Sequence, residues 1–302
     1  MKNLPAAANP HSTAATTRIL PGLSAIAPAY DAILSDIWGV VHDGRHHFPA
    51  AADALVRYRA GGGKVVLITN APRPCGPIVA QLEQLGVPRP AYDAIVTSGD
   101  ATIALIGARG LAPIHHIGPE RDLTLFEEAR ARTGISPALT GLAGAEYVVC
   151  TGLFDDDHET PEDYTALLET MLARDVEMIC ANPDIVVHRG STLLYCSGAL
   201  AQKYAGMGGR VALAGKPYAP IYDLALNLTG CRSGRVLAIG DAVATDMLGA
   251  QQQQLDALFV THGIHRDKLH PEGDILLDSP ALHGFLRDEA ISPLYAMNQL
   301  RW

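Results

Sequence analysis

The chain has 302 residues, 48% of them apolar and 18% charged, with a formal net charge of -9 and an isoelectric point near 5.7. That is apolar material for one large domain or two ordinary ones, and it excludes disorder over most of the length. The acidic balance argues against nucleic acid or an anionic membrane as partner, and no apolar run reaches the roughly 18 residues of a membrane-spanning helix.

Residues 1–18, rich in Ala, Pro, Thr and Asn, read as a flexible tail without the basic-then-apolar order of a signal peptide. Beyond it, short apolar runs alternate with amphipathic stretches, the pattern of an α/β protein with a mostly parallel sheet. The first strand is Ala32 to Asp36, followed by a helix near 51–59 that stops at Gly61-Gly62-Gly63. A second strand, Lys64 to Ile68, ends at Thr69-Asn70, and Pro72 and Pro74 then force a loop. A helix near 77–85, a strand at 94–96 and a helix at 100–108 follow. Strands are expected at 114–117, 147–150 and 177–180, with a helix opened by Thr160 as N-cap and Pro161 at its first position. After a glycine-rich joint at Gly206, Gly208 and Gly209 come a strand at 211–213, a helix at 219–228, and strands at 236–239 and 257–260.

Polar residues fall where these strands end. In an open parallel sheet, ligands bind beyond the carboxyl ends of the strands. Asp36 stands there as a nucleophile or metal ligand, or as a plain turn cap. Asp241 and Asp246 follow Gly240 across a short loop and supply the hard oxygens that Mg²⁺ prefers. Thr69, with nearby backbone N–H groups, suits a phosphoryl oxygen, and Lys216 offers a point charge to a transferring phosphoryl group. The pairs His46-His47 and His115-His116 point to opposite sides of an extended chain and do not read as a metal site. Gly61-Gly62-Gly63-Lys64 lacks the spacing of a P-loop. Five cysteines without CxxC spacing read as free thiols in a reducing, cytoplasmic compartment.

In this order the stretches Asp36-Ile37-Trp38-Gly39-Val40, Thr69-Asn70, Lys216-Pro217 and Gly240-Asp241 with Asp246 resemble the four motifs of the haloacid dehalogenase (HAD)-like superfamily, in its class IIA branch. Thr97-Ser98-Gly99, Asn182-Pro183-Asp184 and Thr261-His262-Gly263 resemble that branch too. The resemblance implies a Rossmann-like core with helices on both faces of a parallel sheet, formed by 19–106 and 209–302, and an inserted α/β C2-type cap over 107–208. It implies a Mg²⁺-dependent phosphatase acting on a small phosphorylated metabolite, such as a sugar phosphate or nucleotide. Asp36 would form an aspartyl-phosphate, assisted by Thr69 and Lys216. Asp36, the Trp38 carbonyl, Asp241 and Asp246 would serve the metal. Asn70, Arg73, Asp184, His188 and Arg189 are the expected substrate contacts. Self-association as a homodimer through the cap is in keeping with such relatives.

One position departs from the pattern. Phosphatases of this superfamily carry a second Asp two residues after the nucleophile, as general acid and base; here it is Trp38. That loss predicts a slow enzyme on ordinary phosphomonoesters, by the roughly 10²–10⁴ such help is worth, unless His42 in the same loop substitutes or the leaving group needs no proton. A catalytically weak phosphometabolite-binding protein and a carbon–halogen hydrolase remain as alternatives, the latter disfavoured by the Asp241/Asp246 pair. Whether Leu300-Arg301-Trp302 packs on the core or on a partner chain is not decided by the sequence.

Overall fold

The computed structural model describes residues 17–189, 192–231, 235–270 and 279–302. In chain order the elements are β1 (Arg18–Ile19), β2 (Ala32–Asp36), α1 (Pro49–Ala60), β3 (Lys64–Thr69), α2 (Cys75–Gln84), β4 (Ala94–Thr97) and α3 (Ser98–Ala108). Then come β5 (Ile114–Ile117), α4 (Thr124–Thr133), β6 (Tyr147–Cys150), α5 (Thr165–Ala173), β7 (Glu177–Cys180), β8 (Val186–Arg189), β9 (Thr192–Tyr195) and α6 (Ser197–Gly206). The remainder are β10 (Val211–Leu213), α7 (Ala219–Thr229), β11 (Val236–Gly240), α8 (Leu248–Gln252), β12 (Asp256–Val260), α9 (Arg266–Leu269), α10 (Ser279–Asp288) and β13 (Tyr295–Met297).

Seven strands form one all-parallel sheet in the order β1-β13-β12-β11-β2-β3-β4. Its inner strands are apolar through their central positions because both faces are covered. Ile33, Val65, Leu67, Leu237, Ile239 and Leu258 enter one core, while their chain neighbours Leu34, Val66, Ile68, Ala238 and Phe259 enter the other. From β2 the chain moves outward through β3 and β4. It returns at β11 on the other side of β2 and moves outward again through β12 and β13. The topological switch therefore lies between β2 and β11, and the carboxyl ends of those two strands open the crevice where ligands bind in such sheets.

A second parallel sheet has the order β10-β7-β6-β5 and its own apolar layers, with Val148, Cys150, Met178 and Cys180 on one face and Tyr147, Val149 and Ile179 on the other. Strands β8 and β9 pair as an antiparallel hairpin, with Val186 opposite Tyr195. Among the described residues no helix is long and apolar enough to cross a membrane, and all five cysteines are free.

Several expectations are refined. The second sheet runs past the boundary at 208: β10 pairs along β7 and adds Val211, Ala212 and Leu213 to that sheet's cores. Of the tail expected over 1–18, residues 1–16 lie outside the described ones; Thr17 hydrogen-bonds Pro293 O, and Arg18 begins β1. Helix α3 starts at Ser98, not Asp100, because Thr97 and Asp100 form a reciprocal capping box. Thr160 and Asp163 form the same box, but a 3₁₀ turn over Pro161–Tyr164 precedes α5. The C-terminus packs on its own core: Leu300 is buried there, and Leu23 N–H donates to Arg301 O at 2.8 Å.

Candidate active site

Asp36 ends β2 as its last strand residue, and its Oδ1 accepts the Ile37 N–H at 2.7 Å. One strand over, β11 ends at Gly240, so Asp241 leaves the sheet beside it. Residues Val243–Met247 then form a wide π turn, with Asp246 N–H and Met247 N–H both reaching Ala242 O. That turn brings the Asp246 carboxylate back to its own loop, where Oδ2 accepts the Ala242 N–H at 3.1 Å. A Cβ on Gly240 would collide with Asp246, so the close approach requires glycine there.

The three carboxylates meet. One oxygen from each of Asp36, Asp241 and Asp246 lies within 4.8 Å of the others, the only such metal-ligating group among the described residues. Lys216, just after β10, reaches in: its Nζ is 2.7 Å from Asp36 Oδ1 and 2.7 Å from Asp246 Oδ1. All four side chains are buried. Asp241 is fixed from the far side, where Oδ2 accepts the Ile264 N–H at 2.7 Å. Two glycines make room for it: a Cβ on Gly39, at φ +77°, or on Gly263 would strike the Asp241 carboxylate.

Electrostatics follow from this crowding. Burial, and then the neighbouring Asp246, push the Asp36 carboxyl well above the usual carboxylate range, with Lys216 opposing. Burial and Asp246 raise Asp241 to about 7. Burial also works against the Lys216 charge, but Asp246 and Asp36 outweigh it and hold the ammonium protonated. The site thus holds more negative charge than it can neutralise, which is the condition a bound cation relieves.

Of the remaining predicted residues, Asn70 is buried beside Lys216. Its Oδ1 accepts the Lys216 N–H at 2.7 Å, and its Nδ2 donates to Lys216 O at 3.1 Å and to Asp184 Oδ1 at 2.9 Å. Asn70 and Asp184, expected as substrate contacts, therefore spend these polar atoms on each other and on the backbone of Lys216. They tie the loop after β7 to the end of β3, and burial raises the Asp184 carboxyl. Thr69 ends β3 one residue beyond the partner of Asp36 in register, and its hydroxyl accepts the Ala71 N–H at 3.4 Å. Arg73 is exposed, and its charge acts on Asp122 of the loop after β5.

Trp38 is 52% exposed, whereas His42 is 2% exposed, with the rings edge to face at 6.1 Å. The His42 Nδ1 accepts the Gly44 N–H at 2.9 Å, and burial lowers the pKa of the ring. Its described partners are thus Trp38 and Gly44, and none is a carboxylate of the cluster. His188 and Arg189 stand in β8, and their side chains lie outside the described ones. Sequence spacing had no means of finding the Ile264 N–H or the Gly263 contact. The signal available was the stretch Thr261-His262-Gly263 after β12, which resembles the same branch.

Residues 33–132 match the haloacid dehalogenase-like hydrolase family, and residues 213–280 match a HAD-hydrolase-like family. Among solved structures, a haloacid dehalogenase-like family hydrolase from Brucella suis is 43% identical with a TM-score of 0.77, the match covering 93% of this chain and 100% of that one. A p-nitrophenyl phosphatase from Archaeoglobus fulgidus is 19% identical, with a TM-score of 0.71 and coverage of 89% and 96%. A glycerol phosphate phosphatase from Mycobacterium tuberculosis, solved in complex with calcium, is 23% identical, with a TM-score of 0.64 and coverage of 81% and 70%. The last two share the fold. No curated protein matches. On the identity to the Brucella suis hydrolase, sustained over nearly the whole length, the chain belongs to the haloacid dehalogenase-like hydrolase family.

Proposed function

We propose that this hydrolase is a Mg²⁺-dependent phosphatase of small phosphorylated metabolites, working through an aspartyl-phosphate on Asp36. The charge arrangement carries the reading: three buried carboxylates face one ammonium. With all three ionised, two negative charges would be left over, and a hard dication with a taste for oxygen offsets them. The donor set fits, being all carboxylate, with the Trp38 carbonyl in the same turn. Asp36, Asp241 and Trp38 O would hold the ion with Asp246 behind them, and the bound ion supplies positive charge against the phosphate oxygens.

The chain's own groups divide the remaining work. Lys216 and the Ile37 N–H occupy Asp36 Oδ1, which leaves Oδ2 as the attacking oxygen. Lys216 also neutralises charge gathering on the phosphoryl group. Thr69, with the N–H groups that follow it, receives a phosphoryl oxygen. Asn70 holds the Lys216 backbone in place, and Asp184 holds Asn70. Fold relatives named as p-nitrophenyl phosphatase and glycerol phosphate phosphatase make phosphate esters the class to test first.

The test is release of inorganic phosphate from aryl, acyl, sugar and nucleoside phosphates, with Mg²⁺ or with chelator. Release that needs Mg²⁺ and disappears in Asp36→Asn is expected. Release that survives chelation, or that Asp36→Asn retains, contradicts the reading.

A further inference from the structure

Resting on that phosphatase reading, we propose that the substrate is the phosphate ester of a planar, weakly basic leaving group, an aryl phosphate, whose ring is received by Trp38. Two independent features point there.

The first is the supply of protons. An alkoxide leaves phosphorus badly unless it is protonated, so an enzyme for alkyl phosphates needs an acid at the mouth of the site. Among the described side chains at positions 37–43, none is free for that task. The indole N–H of Trp38 does not ionise usefully. His42 is buried, with Nδ1 held by the Gly44 N–H and its ring packed on Trp38. The Asp43 carboxylate is turned into its own loop, where Oδ1 accepts the Arg45 and His46 N–H groups at 2.8 Å and 2.7 Å. Lys216 is locked between two carboxylates. An aryloxide needs no such donor.

The second is the surface around the cluster. Trp38 lies two residues after Asp36, and Tyr218 lies two residues after Lys216. Ile185 follows Asp184, and Ile264 binds Asp241 through its N–H. All four are exposed, Trp38 at 52% and Ile264 at 71%. The loops that carry Asp36, Asp184, Lys216 and the Ile264 N–H therefore each also carry an exposed apolar or aromatic side chain. Trp38 is held ready: Gly44, at φ +88°, lies so close to its six-membered ring that a Cβ there would meet it at 2.8 Å, and the His42 ring supports it from another side. A half-exposed indole fixed in this way offers a ring to stack on at little entropic cost.

The chemistry balances without an added acid. Asp36 Oδ2 forms the bond to phosphorus as the aryl oxygen–phosphorus bond breaks, and the electron pair leaves with the aryloxide, which takes its proton from solvent. Water then adds to phosphorus, the bond to Asp36 breaks to restore the carboxylate, and the water's proton goes to the released phosphate. With no base at hand for that water, the second step is the slow one, and the phosphoaspartate accumulates.

Four substrates separate ring from leaving group: p-nitrophenyl phosphate has both features, acetyl phosphate only the good leaving group, phenethyl phosphate only the ring, and glycerol phosphate neither. With Mg²⁺, kcat/KM is expected to be highest for p-nitrophenyl phosphate and at least about 100-fold lower for both alkyl esters, the value of the missing acid. A burst of p-nitrophenolate equal to the enzyme present should precede the steady state, and kcat should be constant across substituted phenyl phosphates. Trp38→Leu should lower the preference for p-nitrophenyl phosphate over acetyl phosphate, read as the ratio of their kcat/KM values, roughly 3- to 10-fold, with Trp38→Phe restoring it. Alkyl esters turned over as fast as aryl ones, or a Trp38→Leu variant that treats p-nitrophenyl phosphate as the native protein does, overturn the proposal while the phosphatase reading stands. No release from any of the four overturns both.

Discussion

Lys216 is the residue on which the site's charge balance turns. It is the single cation among three buried carboxylates, and burial makes an unpaired charge far costlier than a paired one is helpful. Replacing it by Met should therefore destabilise the metal-free protein by about 3–5 kcal/mol, read from urea midpoints, and added Mg²⁺ should recover part of the loss. An unchanged midpoint would show that the carboxylates are already neutral in the native protein. Trp38 is the other decisive residue, because on the proposed reading its type sets how much faster aryl esters react than alkyl ones.

At the scale of elements, the site depends on where helices begin. Thr97 caps α3, accepting the Asp100 N–H at 2.9 Å. The first turn of α3 lies under Gly215, whose Cβ would crowd both Asn70 Oδ1 and Ser98 Oγ. Thr97→Val should cost about 1–2 kcal/mol of stability and lower phosphate release together, since Asn70 and Lys216 rest on that turn. Normal stability with lost activity, or the reverse, would separate the two. In the second sheet, His116 on β5 shares a 2.9 Å hydrogen bond with Thr151, and burial, helped by His115, depresses its pKa to about 4 from the usual 6.5. The folded state then binds fewer protons than the unfolded state between those values, so stability falls as pH drops from 6.5 toward 4. His116→Gln should flatten that limb of a plot of melting temperature against pH; an identical acid limb in the variant would contradict the assignment.

Sequence reading succeeded for elements buried on both faces. Strands β2, β3 and β11 carry apolar runs that give way abruptly to polar residues, and those ends led directly to Asp36, to Thr69, and to Asp241 with Asp246. It failed where pairing alone defines the strand. β1 has two residues and β13 follows Pro293, while the Gly190-Ser191 turn signal between β8 and β9 was passed over. The bond between Asn70 and Asp184 joins residues 114 apart, and no local pattern announces it. Their polar character was legible, but their partnership was not.

The whole molecule places one charged cluster at the switch point of a seven-stranded sheet and ties a second parallel sheet to it through Asp184. A dication binding that cluster should stabilise the entire fold by about 2.7 kcal/mol at a hundredfold excess over its dissociation constant, visible as a higher melting temperature in Mg²⁺ and lost in Asp241→Asn. The most direct test is to quench a reaction of the protein with radiolabelled p-nitrophenyl phosphate in acid and map the label by peptide sequencing. A phosphate adduct on the Asp36 peptide, formed only with Mg²⁺, is the predicted result. Turnover without that adduct, or an adduct on any other residue, would contradict it.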